Sequence, residues 1–248
     1  MATEGVTFSD AKAPEGMRIY AIGDIHGRFD LLSQMHERIV AEIERDSPAD
    51  WRIIYLGDYV DRGPESNQVL EFLSTETAAD PRVIALAGNH DAGMLSFLNR
   101  PRRDGLFALY GGDTTAQSYG VELRLAPKDK LLASAAELEK AVPEKHIEFL
   151  RNLPVSASFG DLFFCHAGVR PGIPLEEQKR DDLLWIRNEF HDHFGLYPKL
   201  IVHGHTPRLA PEIRLNRVNL DTGAVKFGVL SCMRFEDTRK DLIQVSGS

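Results

Sequence analysis

The chain has 248 residues, of which 43% are hydrophobic and 27% charged, enough apolar content for one large domain or two small ones. A net charge of −8 argues against nucleic-acid binding through a general basic field, and no apolar run approaches the roughly 18 residues of a membrane span. Cys165 and Cys232 do not make a disulfide framework. They read as small buried hydrophobes suited to a reducing compartment, and with no signal-like apolar stretch in residues 1–16 a cytoplasmic location is expected.

Residues 1–16 read as a mobile polar lead-in before a domain covering 17–248. Met17 to Ile22 reads as a strand. Phe29 to Asp46 has helical spacing, with Leu31, Leu32, Met35, Ile39, Val40 and Ile43 on one face and Asp30 as N-cap. Arg52 to Leu56 and Arg82 to Ala87 read as strands flanking a helix over Ser66 to Ser74. This alternation predicts an α/β architecture. Residues 100–143 break the pattern and read as an insertion over the site, with a turn at Gly111-Gly112-Asp113 and a helix through Leu131, Leu132, Ala135 and Leu138. Glu144 to Arg151 reads as a short helix after Pro143. Strands then follow at Val155 to Phe159, Leu162 to Cys165, Leu200 to His203, Arg217 to Leu220, Val225 to Phe235 and Leu242 to Val245, which suggests two sheets face to face with helices outside.

Five polar segments stand directly after apolar runs: Gly23-Asp24-Ile25-His26-Gly27, Gly57-Asp58-Tyr59-Val60-Asp61-Arg62-Gly63, Gly88-Asn89-His90-Asp91, His166-Ala167-Gly168 and His203-Gly204-His205. Ligands of open α/β sheets gather beyond the carboxyl ends of strands, so distant segments can meet there. Positions i and i+2 of extended backbone face one way, which lets Asp24 and His26 reach one cation. Asp58 is placed to bridge two metals through its two oxygens, with Asp61 and Arg62 towards substrate. Asn89 offers an amide oxygen for a hard or borderline cation and leaves His90 for proton transfer. His166 and His205, each after a buried strand, add imidazoles. Such a mixed set admits Mn, Fe, Zn or Co.

The motif order resembles the metal-dependent phosphoprotein phosphatases, the serine/threonine phosphatases of the calcineurin-like metallophosphoesterase superfamily, and is nearest their small bacterial and bacteriophage-type members. Asp182 to Arg187, His203 to Pro207 and Leu220 to Val225 add to the likeness, which covers roughly residues 17 to 245. It implies a four-layer αββα sandwich, two mixed β-sheets flanked by helices. It implies two divalent metal ions, manganese first among the candidates, one held by Asp24, His26 and Asp58 and the other by Asp58, Asn89, His166 and His205. Arg62, Arg187 and Asn89 would bind the substrate phosphate, and His90, oriented by Asp61, would be the general acid. His203 has no ligand role in the small phosphatases.

The function so implied is hydrolysis of phosphate monoesters by a metal-bridging hydroxide, acting as a serine/threonine protein phosphatase on a phosphorylated protein or a small phosphoester. The alternative is a symmetrical diadenosine-tetraphosphate hydrolase or another nucleotide hydrolase. That group usually has Ala in place of Asp61, so Asp61 is read in favour of monoester chemistry. An inactive phosphate-binding module would lack a ligand or an arginine, and the motifs lack none. Gly204-His205-Thr206-Pro207 lacks the second histidine of a Gly-His-x-His pair, which favours the phosphoprotein-phosphatase ligand arrangement. Arg187 has a plainer reading as a surface arginine paired with Asp182 or Glu189. Arg100 to Arg103 reads as a solvated loop, with Arg102, Arg103 and Tyr119 as candidates for the entrance.

Overall fold

The computed structural model describes residues 5–247. In chain order the elements are β1 (Met17–Ile22), α1 (Phe29–Asp46), β2 (Asp50–Tyr55), α2 (Ser66–Ala79), β3 (Val83–Ala85), α3 (Asn89–Asn99), α4 (Leu106–Leu109), α5 (Gly112–Ser118), α6 (Lys128–Ala141), α7 (Glu144–Asn152), β4 (Ser156–Phe159), β5 (Leu162–Cys165), α8 (Arg180–Trp185), α9 (Asn188–His191), β6 (Leu200–His203), β7 (Glu212–Ile213), β8 (Arg217–Asn219), α10 (Ala224–Phe227), β9 (Val229–Glu236) and β10 (Arg239–Ser246). They form two five-stranded mixed sheets, ordered β10-β9-β1-β2-β3 and β4-β5-β6-β8-β7. Among the described residues, no helix is long and apolar enough to cross a membrane.

Alternation along the strands builds the layers. Ile19 and Ala21 of β1, Ile54 of β2, Phe164 of β5, Val202 of β6, Val218 of β8 and Phe235 of β9 share one buried cluster between the sheets. Their neighbours Tyr20, Ile22, Ile53 and Tyr55 face the opposite way, against Leu31, Met35, Val69, Leu70 and Leu138 of the helices. On the far side, Phe163, Cys165 and Ile201 pack against Leu183, Ile186 and Phe190. The result is helix, sheet, sheet, helix, the four-layer sandwich implied by the motifs.

Strand direction decides where the site forms. The triplet β1-β2-β3 is parallel, as is β5-β6-β8. Six loops therefore leave parallel strands at their carboxyl ends, and five of them carry the polar segments.

Several elements depart from expectation. Val225 to Phe235 is not one strand: Gly223 and Gly228, both with positive φ, bracket the turn of α10 before β9 begins. Asp30 is not the cap of α1 but lies in its first turn, where an acid suits the helix dipole, and accepts hydrogen bonds from Arg28. The lead-in, expected to be mobile, is packed. The Val6 N–H donates to the Tyr197 carbonyl, and Ala11 and Ala13 join Val6 and Phe8 in the inter-sheet core. These apolar residues are diluted by polar neighbours, which masks them in the sequence; residues 1–4 lie outside the described residues. Within 100–143, α4 and α5 reach the site through Gly111 and Thr115, whereas α6 joins the outer helical layer beside α3.

Candidate dinuclear metal site

The loops are stitched to one another through the backbone. The N–H groups of Ile25 and His26 donate to the Asp58 carbonyl, and Gly27 donates to that of Tyr59. Asp91 ties the third loop to the second, its carboxylate accepting from the N–H groups of Asp58, Tyr59 and Gly88 at 2.8–2.9 Å. Gly204 N–H donates to the His166 carbonyl, and His205 N–H lies 3.1 Å from both oxygens of Asp24. The bends needed are tight. His26, Asp58, Asp61, Arg62 and His205 all have φ between 46° and 71°, in the left-handed region that side chains avoid. Gly88 permits a close approach: a Cβ there would sit 2.2 Å from both the N and Oδ1 of Asp58.

Six buried side chains meet as a result. Asp58, His166 and His205 present ligand atoms within 4.8 Å of one another, and so do His26, Asp58 and His90; Asp58 belongs to both groups. Asn89 Oδ1 lies 2.8 Å from His166 Nε2 and 2.9 Å from His205 Nδ1. Asp24 falls in neither group and leans towards the His205 backbone. Asp61 Oδ2 is 2.6 Å from His90 Nδ1, and its other oxygen accepts from the Thr115 hydroxyl. Both arginines stand exposed at the mouth. The Nη groups of Arg62 are 2.8 Å from Nε2 of His26 and of His90, and Arg187 Nε donates to His205 Nε2 at 3.1 Å. Arg187 is not paired with Asp182 or Glu189, because Arg170 takes both acids.

The donor set fits cations. His166 Nδ1 is 2.9 Å from the Leu56 carbonyl and His26 Nδ1 is 2.8 Å from that of Val60, so each of these nitrogens carries the proton. In the neutral rings the Nε2 lone pairs then face acceptors: Asn89 Oδ1 for His166, and Asp58 Oδ2, 3.4 Å from His166 and 3.5 Å from His26. Acceptors aimed at one another need positive charge between them. The electrostatics agree. Burial alone would depress the His166 imidazole, but Asp58 and Asp24 push it up to about 10. Burial would raise the Asp58 carboxyl, yet His166, His90 and His26 hold it well below its usual range. Burial and Asp221 drive Asp24 well above it, while burial lowers His26 to about 3 and His205 to about 2. A divalent cation supplies what the pocket otherwise draws from a proton.

Residues 17–228 match the family model of the calcineurin-like phosphoesterases. The chain belongs to that family. It is thus a metallophosphoesterase, of a family that hydrolyses phosphoesters at a dinuclear divalent metal centre. Among similar proteins, an asymmetrical bis(5'-nucleosyl)-tetraphosphatase PrpE of Anoxybacillus flavithermus is 25% identical over 87% of this chain and 89% of its own length. The protein of the same name in Halalkalibacterium halodurans is 27% identical over 89% and 91%. A crystal structure provisionally described as a diadenosine tetraphosphatase superposes with a TM-score of 0.67 at 20% identity, covering 96% of this chain and 99% of that one. A serine/threonine phosphatase of Saccharomyces cerevisiae superposes at 0.57 with 14% identity over 95% and 81%. At those identities the two structures show the shared fold alone.

Three residues around the site of this metallophosphoesterase had no place in the sequence reading. Asp91 clamps two loops, Thr115 braces Asp61, and Asp221, on the loop after β8, is a close charged neighbour of Asp24. Asp91 and Asp221 lie inside the motifs themselves, so a signal existed; Thr115 gave none. Of the entrance candidates, Tyr119 donates to His146 Nδ1, and Arg102 pairs with exposed Asp104 and lines a cavity together with Trp185.

Proposed function

We propose that this metallophosphoesterase hydrolyses dinucleoside tetraphosphates asymmetrically, releasing a nucleoside mono- and a triphosphate. The observation that carries the substrate choice is the shared name of relatives that match nearly the whole of both chains. It displaces the serine/threonine phosphatase reading, which rests on the likeness of motifs and a shared fold. The activity proposed falls within the alternative of a diadenosine-tetraphosphate or other nucleotide hydrolase, with asymmetrical rather than symmetrical cleavage. Asp61 does not discriminate between these readings, because its position behind His90 serves any leaving group that needs a proton.

In this reading Asp24, His26 and Asp58 hold one divalent cation, and Asp58, Asn89, His166 and His205 the other, manganese being the first candidate. When bound, such a pair activates water and stabilises charge developing on the phosphoryl oxygens. The chain's own groups do the rest. His26 Nε2 cannot accept from Arg62 and ligate at once, so loading would free the Arg62 fork for phosphate. At His205 the nitrogen facing the other ligands is Nδ1, and ligation there would put the proton on Nε2, which could then no longer accept from Arg187. Asn89 adds its amide group at the phosphate. The water oxygen bonds to phosphorus as a P–O–P bridge breaks; the water gives up a proton to solvent, and His90, held by Asp61, delivers one to the departing oxygen. The test sets diadenosine tetraphosphate, a phosphoserine peptide and p-nitrophenyl phosphate side by side with Mn, Fe, Zn and Co, resolving products by chromatography. AMP and ATP from the preferred substrate are expected; preference for the peptide overturns the reading. A cytoplasmic site of action remains part of the proposal.

A further inference from the structure

We propose that the cavity between α3, α4 and Trp185 is a nucleobase subsite, in which the Trp185 indole stacks on one base while Arg100 and Arg102 face the polyphosphate. The inference rests on the dinucleotide reading above and names the residues that would recognise the nucleoside. The cavity measures about 180 Å³; Phe97, Leu106 and Phe107 supply an apolar floor, and Arg100, Arg102 and Trp185 the rest of its wall.

Its position is set by the metal pocket. Trp185 lies edge-on to His205, ring centroids 6.5 Å apart, and Arg187 follows two residues later. The opposite wall is α3 at Ala92 and Gly93, just beyond Asn89 and His90 at the helix start. Gly93 lets α4 close on α3, since a Cβ there would stand 2.8 Å from Leu106 Cδ2. A ligand in the cavity is therefore flanked by Trp185, with His205 beyond it, on one side and the His90 helix on the other.

The wall chemistry selects the ligand class. Trp185 is 44% exposed, although an indole gains much from burial. The other tryptophan, Trp51, is already covered by the Arg82 guanidinium, 4.0 Å above its ring. Arg102 pairs only with exposed Asp104, a contact of little worth, and among the described residues Arg100 makes no ion pair. An aromatic wall, an apolar floor and two guanidinium groups, one of them held only by an exposed acid, beside a candidate phosphate site match a base with its phosphate chain attached. In a chain of net charge −8, a polyanion needs such a local cationic approach.

The experiment compares wild type, Trp185→Ala and Trp185→Phe on diadenosine tetraphosphate and p-nitrophenyl phosphate with the same metal. For Trp185→Ala the ratio of kcat/KM between the dinucleotide and the nitrophenyl ester should fall about tenfold or more, chiefly through KM, with Phe restoring most of it. In parallel, Trp51→Phe leaves Trp185 as the sole indole, and its fluorescence is titrated with AMP, ribose 5-phosphate and inorganic phosphate. Quenching by AMP alone supports the subsite. Equal quenching by ribose 5-phosphate, or an unchanged ratio in an enzyme that does cleave the dinucleotide, overturns the subsite and leaves the substrate reading standing. A wild-type enzyme that fails to cleave the dinucleotide overturns the substrate reading and the subsite with it.

Discussion

Asp61 Oδ2 sits 2.6 Å from His90 Nδ1, and both side chains are buried. Thr115 braces the carboxylate from behind, both donating to Asp61 Oδ1 and accepting from the Asp61 N–H. The imidazole is thereby fixed with Nε2 towards the pocket. His90→Asn should lower kcat about 10²–10⁴-fold on a substrate with a poor leaving group, and much less on p-nitrophenyl phosphate, whose phenolate departs unaided. Asp61→Asn should show the same dependence at roughly 10–100-fold. Equal losses on both substrates would remove His90 from proton transfer.

The arginines at the mouth make a second comparison. Arg187 touches one candidate ligand, His205, while Arg62 spans His26 and His90. Replacing either with Ala should raise KM for p-nitrophenyl phosphate about tenfold or more, the loss of charge-assisted hydrogen bonds to phosphate. Arg187→Lys should recover little of it, because an ammonium lacks the fork. Unchanged kinetics in Arg187→Ala would refute its phosphate role.

Gly88 tests the packing behind Asp58. A methyl group there collides with the Asp58 backbone and carboxylate at 2.2 Å, so Gly88→Ala must displace the residue common to both ligand groups. Metal affinity, read as the Mn concentration for half-maximal activity, should weaken by about tenfold or more while the melt with excess metal stays cooperative. An unaltered metal dependence would count against Asp58 as the bridge.

Acidity and metal should be linked through stability. Burial holds the carboxyls of Asp61 and Asp221 up at about 6, and burial together with Asp58 holds Asp91 up at about 7. In excess chelator each of these carboxyls binds more protons in the folded chain than in the unfolded one, but His26 and His205, lowered by burial, bind fewer below the ordinary histidine value of 6.5; above it Asp91 and His166, the latter held up to about 10, leave the folded chain with more protons. The two sets of groups offset each other below pH 6.5, and above it stability falls as pH rises. Each of these carboxyls contributes a fall of roughly 1.4 kcal/mol for every pH unit between its ordinary value and its raised one. Thermal melts from about pH 6.5 to 8 should show a falling midpoint with chelator and a smaller fall with Mn, since bound cations favour the ionised carboxylates and neutral imidazoles. A flat midpoint with chelator, or the same curve with and without Mn, would contradict this.

Much of the fold and the site could be read from the chain alone. Strands were visible where β-branched runs were short and bounded, as at Ile53-Ile54-Tyr55, because local alternation encodes them. The five polar segments were visible because each stands where an apolar run stops; the ligand division, the general-acid role of His90 and the role of Arg187, which follows a helix, came from the likeness of the motifs. What adjacent residues do not encode required the folded chain. That Phe8, Ala11 and Ala13 belong to the inter-sheet core depends on a gap left by strands far away in sequence. That Arg187 turns to His205 follows from Arg170 occupying Asp182 and Glu189. That Thr115 stands behind Asp61, and Trp185 beside His205, is fixed by helix packing across more than fifty positions in the first case and about twenty in the second. Sequence specifies which chemistry is present because side-chain type is local; which groups touch is decided by tertiary packing, where contact partners are chosen by shape and not by order along the chain.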